Sequence, residues 1–224
     1  MSPSPSSVLV AGSSGLIGRE IVRTLLAGPP STTVHALVRR PAPGPGNPRL
    51  HSLTVDFTAL PSLPGADTAY CALGTTIKVA GSQQAFKAVD LDAVLAFAQA
   101  ARRAGVRRFA VVSSLGANPH SGNFYSRVKG DMEAALAGCG FDTLVMARPS
   151  LLAGDRASLG QPARPGERWT LALTAPLWPL IPAAWRPIQT GMVARAMIAA
   201  IEDGKTGTRI IESGEMQRSE QADR

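Results

Sequence analysis

The chain has 224 residues, of which 45% are hydrophobic: enough for one α/β domain with a sizeable core, and too few for two full domains. Its formal charge of +7 and pI of about 10.2 raise nucleic acid as a partner, yet the arginines are scattered and no zinc-finger, helix-turn-helix or aromatic-basic stripe is present, so no nucleic-acid partner is expected. Cys71 and Cys139 are too few for a disulfide framework and lack metal-ligand spacing, so neither a disulfide nor a metal site is expected.

Residues 1–7 are rich in Pro and Ser, with no basic region and no apolar run, which gives the cytoplasm as the expected location. Val8-Leu9-Val10 then reads as a buried parallel strand, and Leu16, Ile17, Ile21, Val22, Leu25 and Leu26 recur at helical spacing. Between them lies Gly12-Ser13-Ser14-Gly15-Leu16-Ile17-Gly18, a strand-to-helix turn with glycines spaced Gly-x-x-Gly-x-x-Gly. Such a loop suits a dinucleotide: Gly12 allows the tight turn, Gly15 lets the backbone approach a pyrophosphate, and Gly18 lets the helix close on the sheet. Free amides at the helix N-terminus attract the phosphates.

His35-Ala36-Leu37-Val38 reads as strand two. Where an NAD site would place an acidic residue for the ribose hydroxyls, the chain has Arg39-Arg40. A guanidinium fork suits a 2′-phosphate, so NADP(H) is preferred over NAD(H), with Arg39 the better placed of the two. Residues 49–55 suggest strand three, ending at Asp56, which either faces the adenine or caps the next turn. Residues 67–73 suggest strand four, and Leu73-Gly74-Thr75 at its end is placed to line the cofactor ribose.

Residues 83–104 carry one long amphipathic pattern through Phe86, Val89, Val94, Leu95 and Phe97, closed by Gly105. Residues 107–112 form strand five, which ends in Ser113-Ser114, and residues 124–136 the next helix. On that helix Tyr125 and Lys129 are four apart and so share a face. A phenol, with a reference pKa of about 10, is a poor base at neutral pH, but a neighbouring ammonium and a positive nicotinamide favour the phenolate. Tyr125 therefore suits proton exchange with a carbonyl oxygen during hydride transfer, Lys129 suits the nicotinamide ribose, and Ser113 or Ser114 suits orientation of the reacting oxygen.

Residues 141–147 read as strand six, 190–200 as a final helix, 208–212 as a last strand and 214–224 as a polar, frayed tail. Pro176, Pro179 and Pro182 break the Trp- and Leu-rich stretch from Trp169 to Trp185, which excludes a spanning helix and leaves a substrate lid, or a contact with a membrane surface. The expected organisation is one doubly wound α/β domain with a mostly parallel sheet: a dinucleotide-binding core over 6–148 and a small substrate lobe over 149–190.

Taken together and in order, these segments resemble the atypical short-chain dehydrogenase/reductases, in particular the NAD(P)H-binding proteins similar to human Tat-interacting protein. The likeness is carried by the glycine loop, Tyr70-Cys71-Ala72-Leu73-Gly74-Thr75-Thr76, Phe86 with Val89-Asp90, Val112-Ser113-Ser114-Leu115-Gly116-Ala117, Phe124-Tyr125 with Lys129-Gly130-Asp131-Met132-Glu133, Arg148-Pro149 with Leu151-Leu152, and Arg164-Pro165-Gly166-Glu167. The resemblance implies a Rossmann fold that binds NADP(H), with Arg148-Pro149 beside the cofactor and the family's catalytic serine, tyrosine and lysine falling on Ser114 (or Ser113), Tyr125 and Lys129. The intact serine, tyrosine and lysine set gives the expected function as an NADP(H)-dependent oxidoreductase moving hydride to or from a small carbonyl or hydroxyl compound, and a monomer or homodimer is expected. The rival readings are an NADPH-dependent sensor or interaction module without turnover, and a sugar-nucleotide epimerase or dehydratase.

Overall fold

The structure, a computed structural model, describes residues 6–40, 47–153 and 185–222. Seven strands form its main sheet: β1 (Ser6–Ala11), β2 (Thr32–Val38), β3 (Leu50–Thr54), β4 (Thr68–Cys71), β5 (Arg108–Val112), β6 (Thr143–Arg148) and β9 (Gly207–Glu212). They run in the order β3-β2-β1-β4-β5-β6-β9, every pair parallel, so strand order reverses between β1 and β4. β1 is central: Val10 pairs with Ala36 on one side and Tyr70 on the other. Sandwiching between two helical layers explains why β4 is buried along its whole length and why the central strands β1, β5 and β6 are mostly buried apolar runs.

One face is covered by α1 (Leu16–Ala27) and α6 (Thr190–Glu202), packed through Ile17, Ile21, Val193 and Met197 against Val8, Val10 and Val145. The other is covered by α3 (Gln83–Lys87), α4 (Ala93–Arg103) and α5 (Phe124–Ala137), after a short α2 (Ile77–Ala80), with Phe86, Phe97, Met132 and Leu136 over Leu9, Cys71, Phe109 and Val111. The expected doubly wound sheet is therefore the observed one.

Two segments differ from expectation. The single helix expected over 83–104 is broken by a π-helical turn, Ala88–Asp92, between α3 and α4. One inserted residue turns the helical register by about 100° while leaving the apolar pattern readable as continuous. Ser82 starts the segment by accepting a bond from the Ala85 amide. Gly105, at φ 91°, ends it: its amide bonds the Arg102 carbonyl and the Val106 amide bonds the Ala101 carbonyl.

The second correction concerns the C-terminus, where the frayed tail is instead helix α7 (Ser213–Ala222). Met216, 1% exposed, docks into the α1/α6 layer, Arg209 pairs with Glu215 at 2.6 Å, and the Gln217 side-chain amide donates to Ser213 Oγ and to the Arg186 carbonyl. Tertiary contacts thus order a segment too polar to form a helix by its own pattern.

Most of the expected substrate lobe, including the Trp169–Pro182 stretch, lies outside the described residues. Its base is visible as a two-residue parallel pair, β7 (Leu152–Ala153) with β8 (Ile188–Gln189). Among the described residues no helix is long and apolar enough to cross a membrane.

Candidate functional site

The site lies at the carboxyl ends of β1, β4, β5 and β6, around the point where strand order reverses. After β1 the chain turns at Gly12, whose carbonyl accepts the Gly15 amide at 2.9 Å. Gly12 sits at φ 78°, and a Cβ there would fall 2.4 Å from the Ala72 carbonyl oxygen, so both backbone angle and space require glycine. A Cβ on Gly18 would fall 2.0 Å from the Gly12 carbonyl oxygen, which means that the first turn of α1 rests directly on the loop.

The cradle fits a diphosphate on three structural grounds. Gly15 is the N-cap of α1 and makes no side-chain cap to its first-turn amides; no acidic residue sits in that turn to oppose an anion; and among the described residues a Cβ at Gly15 would meet only the Gly12 carbonyl oxygen, at 3.2 Å. Ser13 and Ser14 form the loop crest, Ser14 exposed, while Leu16 is half-buried and Ile17 anchors the helix in the core.

Arg39 and Arg40 follow the last residue of β2, both exposed, and neither makes an ion pair among the described residues. Asp56 caps its turn: its Oδ1 accepts from the Thr58 amide at 2.8 Å and the Thr58 hydroxyl at 2.7 Å. Those bonds, the backbone one foremost, hold its carboxyl below the usual range. Of the two roles open to Asp56, the capping one is realised in the geometry.

Lys129 carries the most distinctive chemistry. From the second turn of α5 its ammonium reaches into the protein, where its side chain is 4% exposed, and meets Asp90 Oδ1 at 2.7 Å; Asp90 is 1% exposed. The second Asp90 oxygen accepts the Thr75 amide at 2.8 Å, and Lys129 Nζ lies 3.5 Å from the Val112 carbonyl. Burial pushes the Lys129 ammonium down, but the charge of Asp90, then Tyr125 and the Asp90 hydrogen bond outweigh it, so the net direction is upward. A Cβ on exposed Gly74 would approach Asp90 Oδ1 at 3.4 Å and Lys129 Nζ at 4.0 Å, so glycine keeps that side of the pair open.

Tyr125 stands one turn before Lys129, half-buried, its ring 5.3 Å from that of Phe86. The α5 N-terminus is fixed by Asn123, whose side chain accepts the Ser126 amide, and by a close approach at Gly130, where a Cβ would fall 2.2 Å from the Asn118 carbonyl carbon. The β5 serines differ: Ser113 is buried, with its hydroxyl unpartnered among the described residues, whereas Ser114 is half-buried in the turn closed by the Ala117 amide on its carbonyl.

The guanidinium of Arg148, a residue expected at the cofactor, is engaged within the protein. It is held by Glu133 through two bonds of 2.5 and 3.0 Å and by Glu212 at 3.2 Å, tying α5, β6 and β9 together. What Arg148 can offer a cofactor is thus main chain, continuous with buried Pro149, whose carbonyl accepts the Leu115 amide.

The residue for which the sequence reading had no chemical role is Asp90. Its signal was present: an acid in register with Phe86, Val94 and Phe97, on the face of the pattern that packs inward. An acid at a core position needs a partner, and Lys129 is that partner.

Comparison with known proteins agrees with this geometry. The family described as NAD(P)H-binding matches residues 12–160, from the first glycine of the loop to beyond β7. The chain belongs to that family. It is 34% identical over 203 residues to the protein HTATIP2 of Rattus norvegicus, covering 86% of this chain and 79% of that one. It is 35% identical over 159 residues to the mitochondrial protein FMP52 of Chaetomium globosum, covering 67% and 68%. These relatives bear out the likeness to the atypical short-chain dehydrogenase/reductases. Among solved structures it is similar to MoeE5 in complex with UDP-glucuronic acid and NAD, at TM-score 0.69 and 20% identity over 92% of this chain and 75% of that one. It is also similar to the ADP-L-glycero-D-manno-heptose-6-epimerase of Helicobacter pylori, at TM-score 0.65 and 16% identity over 95% and 80%. At those identities the likeness is one of fold.

Proposed function

We propose that the protein is an NADP(H)-dependent oxidoreductase that moves hydride to or from a small carbonyl or hydroxyl compound, with Tyr125 as acid/base. The observation that carries the reading is Lys129, a fully buried cation one turn from Tyr125, at the strand ends beside a glycine cradle. A buried ammonium is costly, and at the carboxyl ends of a doubly wound sheet it points to a working site.

Bound NADP(H) would supply or accept hydride at the nicotinamide. Gly12 to Gly18 would hold its diphosphate on the α1 amides, and Arg39, with Arg40, its 2′-phosphate, which favours NADP(H) over NAD(H). Leu73, Gly74 and the main chain of Arg148-Pro149 would line the cofactor; Thr75, whose amide is occupied by Asp90, would serve by shape. Lys129 has a third N–H beyond those directed at Asp90 and Val112, and this donor suits a ribose hydroxyl. The Tyr125 hydroxyl would give its proton to a carbonyl oxygen during reduction and take it back during oxidation, with Ser114, the more accessible serine, orienting that oxygen.

The cofactor test is calorimetric titration with NADPH and NADH, repeated with Arg39→Ala. Preference for NADPH that is lost in the variant is the expected result, and absence of binding by the wild type would remove the enzymatic reading altogether. With a substrate from a carbonyl screen, Tyr125→Phe is expected to abolish turnover while leaving NADPH affinity nearly unchanged; retained turnover would exclude Tyr125 as the acid/base. A cytoplasmic location is likewise proposed, and since the FMP52 relatives carry "mitochondrial" in their names, cell fractionation decides between the two compartments.

A further inference from the structure

The Asp90–Lys129 pair has a consequence for which form of the cofactor the site prefers, an inference that rests on the cofactor reading above. The oxidised nicotinamide ring carries a positive charge and the reduced ring carries none. A lone ammonium at the ribose would therefore repel the oxidised form and be indifferent to the reduced one. In this protein the ammonium is not alone: Asp90 meets it at 2.7 Å, and both side chains are almost wholly buried, where charges are poorly screened.

Asp90 is also held in place from elsewhere. The π-helical turn Ala88–Asp92 carries it, and the Thr75 amide, on the loop after β4, binds its second oxygen at 2.8 Å. Inserted π turns recur at functional positions. The titratable groups that act on Lys129 are Asp90, Tyr125 and Cys71. Of these, Cys71 is fully buried, its thiol pushed up to about 12 by that burial, and it adds no charge at neutral pH. The carboxylate of Asp90 is thus the counter-charge that leaves the lysine end of the site electrically neutral.

We propose that Asp90 is a positioning residue whose negative charge, by neutralising Lys129, lets the site bind the oxidised nicotinamide without repulsion and so sets the ratio of affinities for oxidised and reduced cofactor. Because that ratio fixes the potential of the bound couple, each tenfold change in it moves the potential by about 30 mV. The effect is electrostatic and separate from hydride transfer, so no substrate is needed to observe it.

The test is titration of the full chain with NADP+ and with NADPH by calorimetry at pH 6.5, which favours the charged form of an ammonium deprived of its partner. Asp90→Asn keeps the shape and an oxygen for the Thr75 amide but removes the charge. It is expected to raise Kd(NADP+)/Kd(NADPH) at least tenfold, since at an effective protein dielectric constant of about 20 a unit charge is worth a factor of about ten even at a separation of about 12 Å. Lys129→Met leaves the opposite charge and is expected to lower the ratio, and the double variant returns it towards the wild-type value. A merely structural role would weaken both forms alike, so an unchanged ratio in Asp90→Asn overturns the proposal. Should Asp90→Asn not fold, Lys129→Met decides alone, and a ratio that does not fall overturns it. Failure of the wild type to bind either form overturns the cofactor reading, and this inference with it.

Discussion

A Cβ placed on Gly18 would stand 2.0 Å from the carbonyl oxygen of Gly12, a separation that no side chain can occupy. Both atoms responsible are backbone, so relief requires α1 to lift from the loop. On the proposed reading the same loop directs the helix N-terminus at the cofactor diphosphate. Gly18→Ala is therefore expected to lower stability by about 3 kcal/mol and to abolish measurable NADPH binding. Urea unfolding and calorimetry check the two effects. A variant that folds and binds NADPH as the wild type does would show that the cradle is not the cofactor's seat.

The strands, the glycine loop and the Tyr125/Lys129 face were legible because each rests on local signals: apolar runs, a helical period, glycines at a strand end. Boundaries shifted by a residue or two, as at β6, which starts at Thr143 where the apolar pattern suggested Phe141. What escaped was non-local. Asp90 and Lys129 lie on separate helices and meet only because the π turn and the β4 loop bring them together. Arg148 reads as a free cation until β6 is placed beside β9 and under α5, and α7 depends on Met216 finding the α1/α6 layer. In each case the deciding contact joins elements far apart along the chain.

Arg148 and Glu133 give the clearest stability prediction. The Glu133 side chain is 8% exposed, and the Arg148 guanidinium meets it at 2.5 Å. Removing the cation leaves a buried carboxylate without compensation, so Arg148→Met is expected to cost about 3–5 kcal/mol, read as a drop in the urea midpoint. Replacing both partners removes the stranded charge, and Arg148→Met/Glu133→Leu is expected to recover most of the loss. The double variant, if folded, is expected to bind NADPH close to wild type, since the guanidinium is already engaged by carboxylates. A large loss of affinity there would return Arg148 to the cofactor as a side chain.

His35 and His51 supply a pH dependence. They sit directly opposite each other on β2 and β3, with ring centroids 5.3 Å apart and stacked, and His35 Nδ1 is buried without a hydrogen-bond partner among the described residues. Burial first, and then the charge of His51, hold His35 below its ordinary value. A histidine depressed in the folded state leaves stability intact above the unfolded pKa of about 6.5; as pH falls below it, the unfolded chain takes up a proton that the folded one resists. Stability is therefore expected to decline between pH 7.5 and 5.5, and to decline less in His35→Gln. Asp56 and Asp203 are held below 3.8, chiefly by the Thr58 and Lys205 amides, so their contributions are lost only at more acidic pH and do not obscure this window. Urea midpoints at the two pH values separate the outcomes: equal declines in wild type and variant would mean that His35 accepts its proton as readily folded as unfolded.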